Sequence, residues 1–299
     1  MTHRFEGTFT ALFTPFKDDL SIDWDAFDKL VDGQIQAGIA GLVPCGTTGE
    51  SPTLEHEEEV ELIRRCVKAA KGKAMVMAGT GSNCTKTAIK YSQDAVKAGA
   101  DAVMLVTPYY NKPTQEGLYQ HYLAAAGSVD VPVCVYNIPG RSVIDLTTDT
   151  LARICDRLPN VVALKDATNN VVRCSETVRR FGSRMAVLSG DDTLTLPMIS
   201  LGAKGVISVT SNVLPAEVVK ATRLALEGRM EEARREHLAL SNVYDTMFLE
   251  ANPACPKAAL AHLGRMKDVV RGPMVKCSDA TRAKVIAALT AYESRSKGG

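Results

Sequence analysis

Eight short apolar runs recur along most of the chain, at residues 8–14, 41–46, 74–79, 102–107, 131–137, 161–165, 185–189 and 205–210. They are continuous rather than alternating, the pattern of strands covered on both faces. Between them, apolar residues fall at helical spacing: Trp24, Phe27, Leu30 and Val31, then Val60, Ile63 and Val67, then Ile89, Ala95 and Val96. Eight strand–helix units in series predict an α/β chain folded as a (β/α)8 barrel, with an open doubly wound sheet as the alternative. The pattern changes after the eighth run. Residues 216–227 complete the last barrel helix. Segments 230–249, 257–263 and 280–292 then read as helices, broken at Asn252-Pro253 and Gly272-Pro273. We therefore expect a catalytic barrel at 1–227 and an all-helical domain at 228–299.

Charge and composition narrow the partners. Thirty-five basic and 34 acidic side chains give a formal charge of +1, leaving no field for nucleic acid or an anionic membrane and favouring a small-molecule partner. The opening segment has no charged-then-apolar signal pattern, and no apolar stretch is long enough to span a bilayer, so a cytoplasmic protein is expected. The eight cysteines are scattered, with Cys45 and Cys134 inside apolar runs, as for reduced core residues. The five histidines lack partners at metal-ligand spacing and no Cys-x-x-Cys occurs, so no protein-held metal is expected.

Lys165 closes the apolar run at 161–165. Burial there disfavours the ammonium form and yields a free amine, the species that attacks a carbonyl to form a Schiff base. The alternative is a lysine whose head reaches water or pairs with Asp166. Other polar residues stand at the same strand ends, where barrel chemistry sits. Gly46-Thr47-Thr48-Gly49-Glu50 follows the second run, Tyr109-Tyr110-Asn111 the fourth, Tyr136-Asn137 and Arg141 the fifth, and Gly190-Asp191-Asp192 the seventh. The threonine turn offers hydroxyls and backbone N–H groups to a carboxylate, or is plain turn chemistry. Tyr136 can shuttle a proton beside an amine, or is a core tyrosine. Arg141, in a loop stiffened by Pro139, suits a carboxylate, or is solvated. Asp191 and Asp192 read best as caps of the following helix.

These motifs, with residues 162–168, Ser189-Gly190-Asp191-Asp192, residues 205–209, and Asn252-Pro253 with Lys257, resemble the class I aldolases of the dihydrodipicolinate synthase and N-acetylneuraminate lyase family over nearly the whole chain. The resemblance implies a Schiff-base lyase that condenses pyruvate with aspartate 4-semialdehyde to 4-hydroxy-tetrahydrodipicolinate, in lysine and diaminopimelate biosynthesis, without an external cofactor. It assigns the nucleophile to Lys165, proton transfer to Tyr136, Thr47 and a Tyr110 from the neighbouring subunit, and pyruvate's carboxylate to Thr47 and Thr48. Arg141 holds the aldehyde substrate, and Gly190 and Ile207 shape the pocket. It further implies a homotetramer of two tight dimers. A lysine effector cleft would use Ser51, Pro52, His56, Glu59, Asn83, Thr87 and Tyr109, and Thr87 in place of a glutamate implies weak or absent inhibition. Two rivals stand beside this reading: a pyruvate-dependent aldolase acting on a sugar acid, which Arg141 and the tyrosine doublet argue against, and a non-catalytic ligand-binding barrel.

Overall fold

A computed structural model describes residues 5–297. Eight parallel strands close on themselves: β1 (Gly7–Ala11), β2 (Gly41–Val43), β3 (Met75–Gly79), β4 (Ala102–Val106), β5 (Val133–Asn137), β6 (Val161–Asp166), β7 (Ala186–Ser189) and β8 (Gly205–Ser208). β1 pairs with both β2 and β8, which excludes the open sheet. The helices between them are α1 (Trp24–Gln36), α2 (His56–Ala70), α3 (Thr85–Lys97), α4 (Gln115–Ala126), the single turn α5 (Pro139–Ser142), α6 (Thr148–Arg157), α7 (Val171–Phe181), α8 (Thr195–Ser200) and α9 (Pro215–Leu226).

Strand parity divides the core in two. Phe9, Met75, Met77, Met104, Cys134, Ala163, Leu188 and Ile207 meet inside the barrel. Their neighbours, such as Leu42, Val76, Val103, Val135 and Leu164, pack outward against helical residues such as Phe27, Leu62, Tyr122 and Ile154. Gly41 makes room for the interior: a Cβ there would lie 2.2 Å from the Phe9 ring. The second strand is shorter than expected because Cys45 adopts a left-handed backbone (φ 59°) that turns the chain after Val43.

Beyond α9 come α10 (Met230–Thr246), α11 (Ala254–His262) and α12 (Asp279–Lys297). Leu240, Tyr244, Leu260 and Leu289 from these helices share one apolar cluster with Phe13, Val206, Val209 and Val218 of the barrel. The tail is thus packed onto the barrel rather than hung from it. All eight cysteines are free thiols. Among the described residues, no helix is long and apolar enough to cross a membrane.

Candidate active site

Lys165 points into the barrel because it shares the parity of Ala163, which belongs to the interior cluster. It is paired in register with Tyr136 on one side and Leu188 on the other. Its Nζ lies 4.2 Å from the centre of the Tyr136 ring, and only 6% of the residue is exposed. Burial lowers the Lys165 ammonium to about 8; Cys134 and Asp192 oppose that shift, and Arg141 adds to it. Pairing with Asp166 does not occur: Asp166 accepts from the Thr168 N–H (2.9 Å) and hydroxyl (2.6 Å) and lies 3.6 Å from Arg173. Tyr136 is pushed up to about 12 by burial, although Arg141 and a hydrogen bond with Thr47 act the other way. A phenol at about 12 keeps its proton at neutral pH, so beside the amine it is a proton donor.

Thr47 and Thr48 open a short turn, Thr47–Gly49, after β2. The Thr48 hydroxyl accepts from Asn252 Nδ2 at 2.9 Å. Thr47, Tyr136 and Arg141 line a cavity of about 220 Å³, with Ser51, Pro52 and Tyr109 at its wall. A larger cleft of about 880 Å³, lined by Lys29, Gln34 and Arg265 among others, includes none of the proposed catalytic residues.

Arg141 does not ride a loop but α5, one helical turn started by Pro139. Proline suits this position because its missing N–H is not needed in a first turn. The turn is held from below by buried Ser142, whose hydroxyl accepts from Thr107 (3.1 Å) and lies 2.9 Å from the carbonyls of Ile138 and Ile144. Gly190 donates its N–H to the Asp166 carbonyl (2.7 Å), and a Cβ there would approach Ala167 Cβ to 2.6 Å. Ile207 is wholly buried inside the barrel. The arrangement joins a desolvated amine, a proton-bearing phenol, a hydroxyl turn and a guanidinium at one barrel end.

Residues 4–292 match the model of the dihydrodipicolinate synthetase family. The chain belongs to this family. It is 56% identical over 290 residues to 4-hydroxy-tetrahydrodipicolinate synthase of Sorangium cellulosum (strain So ce56), covering 97% of this chain and 96% of that one. The crystal structure of dihydrodipicolinate synthase from Aquifex aeolicus superposes with a TM-score of 0.94 at 43% identity, covering 97% and 98% of the two chains. A lysine-bound structure from Cyanidioschyzon merolae matches with a TM-score of 0.93 at 37% identity, covering 97% and 99%.

Not every expected residue of this family site gathers within one chain. Tyr110 is 86% exposed with a left-handed backbone (φ 70°), and it is Tyr109 that lines the cavity. Of the effector set, Ser51, Pro52 and Tyr109 share the cavity wall with Thr47 and Tyr136. His56 stacks on Tyr91 (4.4 Å between rings), bonds Asp94 (3.0 Å) and lies 3.6 Å from Glu59. Glu59 is pushed up to about 8 by burial, which outweighs the opposing Lys90 charge. The Asn83 carbonyl accepts from Asn111 (2.8 Å), and Thr87 is bonded to Cys84.

The two aspartates part company. Asp191 caps the next turn through the Thr193 N–H (2.8 Å), as expected. Asp192 does not: its buried carboxylate accepts from the Val209 and Thr210 N–H groups (3.1 and 2.9 Å) and fixes the chain just after Ile207. No spacing in the sequence distinguishes it from Asp191. Among the described residues, no group of three or more His, Cys, Asp or Glu could hold a metal ion.

Proposed function

We propose that this chain condenses pyruvate with aspartate 4-semialdehyde to give 4-hydroxy-tetrahydrodipicolinate, in the cytoplasm, for lysine and diaminopimelate biosynthesis. The observation that carries the reading is the Lys165 amine, buried over the Tyr136 ring and lowered to about 8. Family membership and the named relatives support it. Lys165 adds to the ketone of pyruvate. Tyr136 protonates the departing hydroxyl, water leaves, and an imine remains. The imine accepts the electron pair released when a methyl proton departs through Tyr136 and Thr47, giving an enamine. The enamine carbon attacks the aldehyde, whose oxygen takes up a proton. The bound substrate's own amine then attacks the imine carbon, expels Lys165 and closes the ring. No external electron sink is required, because the lysine imine fills that role.

Thr47 and Thr48 hold pyruvate's carboxylate, Gly190 and Ile207 shape its pocket, and Arg141 pairs with the carboxylate of the aldehyde substrate. Tyr110 completes the proton relay of a neighbouring protomer. Its exposure supports a tight dimer around the tyrosine doublet, and the family resemblance supports joining two such dimers into a homotetramer. Lysine binds weakly across Ser51, Pro52, His56, Glu59, Asn83, Thr87 and Tyr109.

Borohydride reduction in the presence of pyruvate tests the core of this reading. It should add a three-carbon unit to the peptide containing Lys165, and Lys165→Ala should abolish the adduct; modification of another lysine refutes the assignment. A coupled assay of pyruvate with aspartate semialdehyde, against pyruvate with N-acetylmannosamine, separates the synthase from a sugar-acid aldolase.

A further inference from the structure

Asn252 lies in the helical tail, 204 residues from Thr48 in the chain, yet its Nδ2 donates to the Thr48 hydroxyl at 2.9 Å with both residues buried. Its other amide atom, Oδ1, is buried without a partner among the described residues. Among the described residues, the side-chain bond of Asn252 is the one to Thr48. A hydroxyl has one proton to give and two lone pairs to fill. With a lone pair occupied by Asn252, the Thr48 proton is left to donate, the polarity a carboxylate requires.

The surroundings hold both partners rigidly. The Thr47–Gly49 turn lies between two non-glycine residues in left-handed conformations, Cys45 (φ 59°) and Glu50 (φ 58°), which persist only where neighbouring structure dictates them. That structure comes from the tail. Lys257, wholly buried in α11, donates to Glu50 Oε1 (2.5 Å), Thr14 O (2.8 Å) and Val269 O (2.8 Å), using all three ammonium protons. Arg271 donates its N–H to Glu50 Oε2 at 2.9 Å. From the other side Thr14 donates to the Gly49 carbonyl at 2.7 Å.

We infer that Asn252 is a positioning residue for substrate binding: it sets Thr48 as a hydrogen-bond donor toward pyruvate's carboxylate, within a turn fixed by the Glu50–Lys257–Arg271 clamp. The inference rests on the assignment of Thr48 to that carboxylate, and the test separates the two. Four enzymes are compared: wild type, N252A, T48V and N252A/T48V. For each, one measures the pyruvate concentration giving half-maximal borohydride trapping on Lys165, and the KM for aspartate semialdehyde. N252A should raise the pyruvate requirement about two- to ten-fold, the worth of the one neutral bond that orients the Thr48 hydroxyl, and leave the aldehyde KM unchanged. In the T48V background it should add nothing, because the group it orients is gone. N252D, which keeps the shape but only accepts, should weaken pyruvate binding further by turning the Thr48 proton away from the substrate. It also serves where N252A folds poorly. Equal loss from N252A with and without T48V overturns the inference, as does an N252A enzyme with wild-type pyruvate dependence beside an impaired T48V. A T48V enzyme with unchanged pyruvate dependence overturns the carboxylate assignment, and the inference with it.

Discussion

Replacing Lys165 with methionine should make the protein more stable while removing its chemistry, and the size of the gain follows from the site. The ammonium falls from an ordinary 10.5 to about 8 because burial between β5 and β7 strips its water. At pH 7 about 9% of such a lysine is free amine, against roughly 0.03% at the ordinary value, so the free amine is enriched on the order of 300-fold. The same displacement costs stability. Above pH 10.5 the lysine is neutral folded or unfolded, and no cost arises. As the pH falls below 10.5 the unfolded chain takes up the proton first, and the folded state loses ground until its own group protonates near 8. At 1.36 kcal/mol per pH unit the cost reaches about 3 kcal/mol at pH 7 and falls to about 1.4 kcal/mol at pH 9.5. Methionine keeps an unbranched stem without the charge. Urea unfolding of wild type and K165M at equal protomer concentration, at pH 7 and at pH 9.5, should show a gain of about 2–3 kcal/mol that shrinks by more than half at the higher pH. No gain at pH 7, or a gain that grows with pH, refutes the claim that Lys165 is held desolvated.

Arg141→Ala should lower kcat/KM for aspartate semialdehyde by roughly 2–4 kcal/mol, because alanine cannot replace two parallel bonds to a carboxylate, while pyruvate trapping on Lys165 persists; steady-state kinetics with an unchanged value for the aldehyde would mean another second substrate. Mixing protomers of K165A with protomers of Y110F, each inactive or feeble alone, should restore activity on subunit exchange if Tyr110 serves its neighbour; no recovery in the mixed oligomer refutes the shared site. Glu59→Gln should stabilise the protein at pH 8 and much less at pH 5. The carboxyl rises from 4.5 to about 8 on folding, so stability is full below 4.5 and is lost as the pH climbs toward 8. Lysine inhibition should be weak, with half-inhibition near or above millimolar, and should tighten between pH 7 and pH 9 as Glu59 ionises to meet the ligand's ammonium; sub-millimolar inhibition that ignores pH would show that Glu59 does not contact it.

What could be read from the sequence, and what could not, divides by the distance over which a residue's role is decided. Buried parallel strands must be apolar on both faces, so eight continuous runs disclosed the eight strands and their order. Within such a run side-chain direction alternates, and a lysine closing an apolar strand already implied a desolvated amine beside whatever ended the adjacent strand. Boundaries failed where the backbone left the ordinary regions: the run at 41–46 ends as strand at Val43, because left-handed Cys45 turns the chain while remaining apolar in composition. Asp191 and Asp192 are the sharper lesson. Local rules make both caps, yet only Asp191 is one, and the partners of Asp192 lie on the next strand's loop. The same holds for the tail. Asn252 meets Thr48 across 204 residues and Lys257 meets Glu50 across 207, with no period or spacing to announce either contact. A hydroxyl turn read from its own five residues is therefore only a candidate for carboxylate binding. The direction in which its hydroxyl donates is set by an amide far along the chain.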